Sequence, residues 1–413
     1  MALCLANSLI VCQDFVPYDQ LVRYKWWHRH GYMSSTGQCF DIGAATRKSI
    51  QEFERRQEEF AHKHPKMTSD EIDSLSDSKL LKNFNVYCST ENAAGNGALM
   101  RLAPVPLFFY HYPKDAVKFS GISGQITHGD PSSIDACRYY GALIVAALRG
   151  DTKEQLLSND FYSRHKDWFE NMPLHPKIME IARGSFKADN GHNDGIRGKG
   201  YVVQSLEAAL WAFWSDENSF KKGALAAVNL GDDTDTTAAI YGQLAGAYYG
   251  YKQLPLEWRE KLYAEEFILC LSEWITYEGE NWKPEKSLIQ TSATPVPHRI
   301  PETAASSSSK QYQDVDRPSS FSQPTHGKHI NSPSKETVDS AFKASSSSAA
   351  TADTSKHERA VPTPSMWFLG KDEPLDLPHD SNKNNSGSRG TSSSASKFSF
   401  YQLVTSNSPS VCK

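Results

Sequence analysis

Apolar residues recur at helical spacing through the N-terminal part of the chain. Val203, Leu206, Leu210, Phe213 and Trp214 fall at positions i, i+3, i+7, i+10 and i+11, which places them on one face of an α-helix. Similar patterning predicts further helices over residues 1–12, 17–30, 43–61, 131–149, 219–229, 234–250 and 264–277. Runs with the alternation typical of strands are almost absent, so the pattern predicts an all-α domain.

The composition changes sharply near Pro284. Beyond it, serine runs at residues 306–309, 345–348 and 392–394 alternate with Pro, Thr, Lys and Asn. Such a segment buries too little apolar surface to offset the entropy of ordering the chain. The sequence therefore predicts a helical domain over residues 1–285 and a disordered Ser/Pro-rich tail over residues 286–413. The polar stretch 62–90 is predicted to be a surface insertion.

Charge and composition restrict the class of partner. The chain has 44 basic and 48 acidic residues, a formal net charge of -4, so no general binding to nucleic acid or to an anionic membrane is expected.

The chain contains no apolar run of about 18 residues that would predict a transmembrane helix. Its seven cysteines form no C-x-x-C pair, which favours a reducing compartment. We therefore expect a cytoplasmic location, with the nucleus as a second possibility.

The segment with the densest candidate chemistry is residues 232–237, Asp-Asp-Thr-Asp-Thr-Thr. Carboxylates and hydroxyls at this density suit Mg²⁺, a hard cation with oxygen ligands. Ordinary helix capping is the structural alternative, since Asp and Thr are favoured at helix N-termini. The same residues match the D-x-D-x-T motif of haloacid-dehalogenase-type phosphatases. In those enzymes, however, the motif follows a buried strand, whereas helical patterning flanks it here.

Three glycine-containing loops each precede a helical segment, at residues 35–43, 94–97 and 195–201. A glycine-rich turn before a helix can bring backbone N–H groups close to a phosphate, although most such turns only connect helices. Residues 127–129, Thr-His-Gly, form a further polar turn. A single histidine in such a turn is more often a capping or core residue than a ligand.

Taken together, these segments resemble the ADP-ribosylglycohydrolase family of the dinitrogenase-reductase-activating glycohydrolase type. The resemblance covers nearly all of residues 1–285 and none of the tail. The segments that carry it, in chain order, are residues 31–37 with 40–43, 94–104, 126–128, 200–203 with 206–211, and 229–237 with 246–250.

The resemblance implies an all-α orthogonal helical bundle with two Mg²⁺ ions in a central cleft. It also implies hydrolysis of the bond between the anomeric ribose carbon of ADP-ribose and an acceptor, so that the partner is ADP-ribose or an ADP-ribosylated protein or small molecule. Two metal ions would bind the ribose hydroxyls. The metal ligands implied for this chain are Asp233, Asp235 and Thr236.

The remaining site residues also follow from the resemblance. Asp41 would face the ribose as an acid or base. The residues expected to line the ADP-ribose cleft are Asn96, Gly97, His128, Gly200 and Tyr201.

The N-terminus departs from the family pattern. Family members carry a Gly-Asp-Ala helix and a Thr-Asp-Asp-Thr metal motif directly before a segment that residues 1–6 match. We therefore expect this chain to lack the first helix, the N-terminal acid and half of the metal ligands, either as a truncated form or as a natural variant without a complete site.

Three functions remain open from the sequence. The leading interpretation is a magnesium-dependent ADP-ribosyl hydrolase, either active or inactivated by the loss of the N-terminal ligands. The second is a non-catalytic ADP-ribose-binding or scaffold protein, in which the tail makes the interactions. The third is a D-x-D-x-T phosphatase. The acceptor (arginine, serine, a nucleobase or a metabolite) and the partner of the tail cannot be inferred from these residues.

Overall fold

Helices form where the apolar spacing predicts them, in a computed structural model that describes residues 1–284. Within that range the α-helices are α1 Ala2–Cys12, α2 Pro17–His30, α3 Ala44–Lys63, α4 Ser69–Asp73, α5 Ser78–Asn83, α6 Pro104–Phe108, α7 Pro113–Gln125, α8 Pro131–Leu148, α9 Lys153–Leu156, α10 Phe161–Arg164, α11 Pro176–Ala182, α12 Val202–Ser215, α13 Phe220–Asn229, α14 Thr234–Tyr249, α15 Leu256–Arg259 and α16 Glu265–Asn281. Short 3-10 turns lie at Leu99–Arg101, Lys166–Phe169, Gly191–Asp194 and Tyr251–Gln253. The all-α prediction is confirmed for the described residues. The tail predicted over 286–413 lies outside them.

Local sequence sets several of the helix ends. Pro131 occupies the first turn of α8, and the Asp130 side chain accepts a hydrogen bond from the Ser132 backbone N–H. Gly150, just beyond α8, adopts φ +95°, a conformation that glycine reaches without steric cost. The predicted start and stop of this helix are therefore confirmed. No helix among the described residues has the length and apolar character needed to cross a membrane.

Helix α8 lies at the centre of the core and packs closely on α7. Fifteen of its residues are buried, which is typical of a helix surrounded by others. The close approach depends on glycine: a methyl group at Gly121 would lie 2.7 Å from Arg138 Cγ, and one at Gly124 would lie 3.0 Å from Cys137 Sγ. Helix α7 was not predicted from the sequence, because its glycines dilute the apolar pattern.

The polar stretch 62–90 contributes to the core. It contains α4 and α5, and Phe84 is buried with its ring centroid 4.8 Å from that of Tyr18 and 5.6 Å from that of Phe53. The Tyr18 hydroxyl also donates a hydrogen bond of 2.7 Å to the Ile72 carbonyl. The segment is therefore not the purely surface insertion that its polarity predicts, since the Phe84 side chain and the hydrogen bond to the Ile72 carbonyl hold it against α2 and α3.

A buried polar cluster ties α14 to the chain before α13. The fully buried carboxylate of Asp216 forms an ion pair with Lys153. It also accepts hydrogen bonds from the hydroxyls of Tyr249, at 2.8 Å, and Tyr241, at 3.3 Å. Burial beside this carboxylate raises the pKa of Tyr241 and Tyr249. Four polar groups from three parts of the chain are thereby satisfied away from water.

We expect Lys153→Met to destabilise the domain by about 3–5 kcal/mol, because it leaves the Asp216 carboxylate buried without a counter-charge. The shift in the urea denaturation midpoint measures this effect. Lys222→Met is the matched control. Lys222 pairs with Glu217, and both side chains are more than half exposed, so its loss should cost less than about 1 kcal/mol. Equal urea midpoints for Lys153→Met and Lys222→Met would show that the buried Lys153–Asp216 pair does not stabilise the domain.

Candidate ADP-ribose cleft

Two glycine-containing loops of the candidate cleft lie side by side and are joined by backbone hydrogen bonds. The Asn96 N–H donates to the Gly200 carbonyl at 3.1 Å, and the Val202 N–H donates to the Ala94 carbonyl at 3.0 Å. Gly95 and Tyr201 form an isolated antiparallel bridge. The predicted cleft residues Asn96, Gly97, Gly200 and Tyr201 therefore lie on adjoining strands of backbone, although about 100 residues separate the two loops in sequence.

The side-chain amide of Asn96 joins these loops to the start of α14. Its Nδ2 donates to Asp233 Oδ2 at 2.7 Å and to Ser205 Oγ at 2.9 Å. The Asp233 N–H in turn donates to the Gly198 carbonyl at 2.8 Å. The predicted ligand-binding loop and the predicted metal-binding segment thus share one hydrogen-bond network.

Asp233 occupies the N-cap position of α14 without using its side chain as a cap. Its carboxylate faces Asn96 instead of the first-turn amides, so simple capping does not account for it. The acids follow a turn after α13, which differs from the strand end that the dehalogenase-type phosphatases require. Neighbouring Asp232 is exposed and adopts φ +62°.

The oxygen atoms at the start of α14 have the chemistry that a hard divalent cation requires. Neither Asp233 nor Asp235 forms an ion pair with a basic side chain of the described residues, and Asp233 Oδ1 and Asp235 Oδ2 make no hydrogen bond there. Thr236 is buried, and its hydroxyl contacts Met100 Sδ at 3.6 Å. These two carboxylates and one hydroxyl fit Mg²⁺, which commonly binds one or two carboxylates and keeps several waters. No cluster of three or more His, Cys, Asp or Glu side chains placed to hold a metal occurs within residues 1–284.

His128 lies beneath the 94–97 loop, with 2% of its surface exposed. A methyl group at Gly97 would lie 3.3 Å from its Nε2, and one at Gly95 would lie 3.4 Å away. Burial, together with the positive charge of Arg101, lowers the pKa of His128 to about 3. The imidazole is therefore neutral at physiological pH and offers one donor and one acceptor nitrogen.

Asp41 is the predicted site residue that these contacts do not connect to the others. It is exposed on the loop before α3, and within residues 1–284 only its backbone carbonyl accepts a hydrogen bond, from the Cys39 thiol at 3.5 Å. The loop does lead toward the cleft, because Thr46 on α3 approaches the Gly97 position.

Sequence reasoning missed three residues that support the cleft. Ser205 accepts from Asn96 and donates to the Lys199 carbonyl. Lys177 contacts the Tyr201 hydroxyl at 3.2 Å. Arg101 is buried below the 94–97 loop. A serine in an apolar helix carries no chemical signal in the sequence. Arg101 did offer one, because it is a basic residue one turn beyond the Gly-Asn-Gly segment.

A second groove, of about 440 Å³, lies between α2, α3 and α4, away from these residues. Its cationic groups are already neutralised: Lys25 pairs with Asp73, and Arg29 pairs with Glu54. The candidate cleft, whose two carboxylates form no ion pair with a basic side chain of the described residues, is therefore the better candidate for chemistry.

We expect the stability of the protein to fall as the pH drops from about 6.5 toward 3. His128 is held neutral in the folded state, whereas in the unfolded state it protonates near its ordinary pKa of 6.5. Protons therefore favour the unfolded chain in this window, and the stabilisation is complete only above it. Denaturation midpoints measured between pH 7.5 and 4.5 test this.

His128→Gln should flatten that pH dependence because it removes the titrating group. His62→Gln, at an exposed position of α3, should retain the wild-type dependence. Identical pH profiles for wild type and His128→Gln would show that this imidazole is not buried as a neutral group.

Comparison with known proteins agrees with this geometry. The family model described as ADP-ribosylglycohydrolase matches residues 1–285. An ADP-ribosylarginine hydrolase, Tri1 of Serratia proteamaculans, is 34% identical over 281 residues, or 67% of this chain and 65% of that protein. Its counterpart in Pseudomonas putida is 35% identical over 276 residues, or 66% and 63%. This chain thus spans less than two thirds of the length of either hydrolase.

More distant relatives and a solved structure extend the comparison. The ADP-ribosyl-[dinitrogen reductase] glycohydrolase of Rhodospirillum rubrum is 30% identical over 175 residues, or 42% of this chain and 52% of that protein. A structure titled ADP-ribosylglycohydrolase-related protein complex superimposes with a TM-score of 0.50 at 32% identity, covering 67% of this chain and 79% of that chain. The bundle is therefore the all-α fold expected from the resemblance, and the chain belongs to the ADP-ribosylglycohydrolase family.

Proposed function

We propose that this protein is a magnesium-dependent hydrolase that releases ADP-ribose from ADP-ribosylated arginine. The observation that carries the proposal is the 2.7 Å hydrogen bond from Asn96 Nδ2 to Asp233 Oδ2. It joins the loop proposed to bind ADP-ribose to the carboxylates proposed to bind the metal. Arginine is proposed as the acceptor because the two relatives with the longest matches described above are named ADP-ribosylarginine hydrolases.

In this proposal Asp233, Asp235 and Thr236 hold Mg²⁺, in keeping with a family that is generally metal-dependent. When bound, the ion supplies positive charge that orients the ribose and polarises its oxygen atoms. Asn96 fixes one oxygen of Asp233 and leaves the other available. The carboxylate is therefore oriented before the ligand arrives, which reduces the cost of binding.

The cleft residues bind and orient ADP-ribose. Gly95 and Gly97 lie against His128, and Gly200 is exposed just before α12, so that glycine permits close approach of a ligand there. Tyr201 is half-buried just before α12, with Lys177 beside its hydroxyl. Asp41, on the exposed loop before α3, is the proposed acid or base and requires that loop to face the bound ribose.

A non-catalytic ADP-ribose-binding protein is the second candidate function. It is favoured by the absence, within residues 1–284, of a third acidic or histidine side chain placed to complete a metal cluster. The two functions differ in one measurable respect, because both require binding of ADP-ribose and only the hydrolase requires turnover.

We expect ADP-ribose to bind the full chain, and we expect Asn96→Ala to weaken this binding at least about ten-fold. The substitution removes the amide that orients the loop and Asp233, and ten-fold corresponds to about 1.4 kcal/mol. Isothermal titration calorimetry with ADP-ribose and Mg²⁺ measures it. Asn92→Ala, at an exposed position of the same loop, should bind like the wild type. A folded wild-type protein that gives no heat at millimolar ADP-ribose would exclude both candidate functions.

We expect Asp235→Asn to lower Mg²⁺-dependent release of ADP-ribose from ADP-ribosylarginine by about 100-fold or more. It removes a ligand charge worth several kcal/mol in the transition state, while the amide oxygen can still accept the Thr236 N–H. Asp232→Asn is the matched control, because it makes the same chemical change at an exposed position whose positive φ asparagine tolerates. Chromatographic measurement of free ADP-ribose, with and without EDTA, gives the rates.

The outcomes of this assay separate the proposals. Equal rates for the two Asn variants contradict the assignment of Asp235 as a metal ligand. Binding of ADP-ribose with no turnover by the wild type contradicts the hydrolase and favours the non-catalytic function.

A further inference from the structure

The Arg101 guanidinium is buried below the cleft, with 1% of the residue exposed and no ion pair to a carboxylate of residues 1–284. Its N–H groups instead donate to four neutral oxygens: the Tyr24 hydroxyl at 3.1 Å, the Gly97 carbonyl at 3.0 Å, the Ser123 carbonyl at 2.9 Å and the Thr127 hydroxyl at 2.7 Å. Guanidinium can only donate hydrogen bonds, so each of these oxygens must act as an acceptor. One side chain thus connects the 94–97 loop to the C-terminal end of α7 and to the turn that carries His128.

The hydrogen bonds of Thr127 determine where the proton of His128 lies. Thr127 is fully buried, and its Oγ1 has two partners, Arg101 Nη2 and His128 Nδ1 at 2.9 Å. If Nδ1 carried the proton, Oγ1 would accept twice and its own hydrogen would have no acceptor, a costly arrangement away from water. The hydroxyl therefore donates to Nδ1, and the neutral imidazole carries its proton on Nε2.

The Nε2–H group has no partner among the described residues. It lies beneath the 94–97 loop, 3.3 Å from the position that a methyl group on Gly97 would occupy, in a residue with 2% exposure. Nε2 is not one of the solvent-inaccessible atoms that lack a hydrogen-bond partner, so it keeps some accessible surface and its N–H can donate to a ligand oxygen or to a water. The uncompensated charge of Arg101 makes an anionic oxygen the favoured acceptor, because electrostatic attraction is strong in a poorly solvated site.

We propose that Arg101 is a positioning residue that acts through the Thr127 hydroxyl to hold His128 as the Nε2–H tautomer, so that a fixed hydrogen-bond donor meets an anionic oxygen of the ligand at the 94–97 loop. The proposal deepens the proposed function, on which it rests for the identity of the ligand. Arg101 itself does not touch the ligand. Burial and the nearby guanidinium also lower the pKa of His128 to about 3, which keeps the ring neutral at the pH of the assay.

The first experiment measures the tautomer directly and needs neither ligand nor variant activity. The full chain is labelled with ¹⁵N-histidine, and its ring-nitrogen resonances are recorded at pH 7.5. The His128 signals are identified as those that are absent from His128→Gln. We expect a protonated Nε2 and an unprotonated Nδ1. A protonated Nδ1, or a mixture of tautomers, in the wild type would overturn the proposal.

The second experiment removes and restores the intermediate hydroxyl. Thr127→Val is nearly isosteric and lacks the hydroxyl, whereas Thr127→Ser keeps it. We expect Thr127→Val to lose the single tautomer and to bind ADP-ribose about ten-fold more weakly, and we expect Thr127→Ser to match the wild type in both measurements. Arg101→Lys should resemble Thr127→Val, since an ammonium group cannot reach four oxygens in the planar arrangement of guanidinium.

The two proposals fail in different ways. If Thr127→Val keeps both the Nε2–H tautomer and wild-type affinity, the role of Arg101 and Thr127 is refuted while the proposed function stands. If the wild type has the expected tautomer and Thr127→Val and Arg101→Lys lose it, but the wild type binds no ADP-ribose, the proposed function is refuted while the positioning of His128 by Arg101 stands.

Discussion

The cleft depends on the hydrogen bonds of one buried side chain, the amide of Asn96. Its two side-chain contacts join α12, through Ser205, to the start of α14, through Asp233. Its backbone N–H pairs with Gly200 on the opposite loop. An amide suits this position because its NH₂ group offers two donors, which here meet a hydroxyl and a carboxylate at the same time. The two glycine-containing loops, α12 and the start of α14 are thereby held relative to one another.

Helix α14 connects the candidate site to the core of the domain. Its first turn bears the acids and hydroxyls, and its buried Tyr241 contacts Asp216. Gln243, on the same helix, donates to the carbonyls of Leu99 and Met100, which follow the glycine-containing loop. The position of the carboxylates is therefore set by contacts along three turns of helix. Such support from rigid elements holds a site more accurately than loops can.

Charged side chains of both signs lie around the candidate cleft without an ion-pair partner among the described residues. The carboxylates of Asp233 and Asp235 lack basic partners among the described residues, and Arg101 lacks an acidic one. A cation bound by Asp233 and Asp235, together with an anionic group near Arg101, would neutralise these charges. A ligand that combines phosphate and ribose with a divalent cation has this pattern of charge, which is consistent with the family to which the chain belongs.

The sequence by itself determined the helical class, the bounds of the strongly periodic helices and the segments that carry the chemistry. The reason is local: apolar spacing, a proline in the first turn of α8 and a dense run of acids and hydroxyls are each visible within a few residues. The resemblance of five ordered segments added the family and the candidate residues of the cleft. Helix α7 was not predicted from the sequence, because the glycines that allow α8 to approach it carry no apolar signal.

Only the tertiary structure decided which of these residues act together. Asn96 and Asp233 are 137 positions apart, and Arg101 and Thr127 are 26 apart, so no local pattern predicts their contacts. Neighbours supplied by other parts of the chain turn the Asp233 side chain away from the helix cap. They also bury His128 and decide which of its nitrogens carries the proton. Hydrogen bonding and burial depend on spatial neighbours, and those are fixed only when the helices pack.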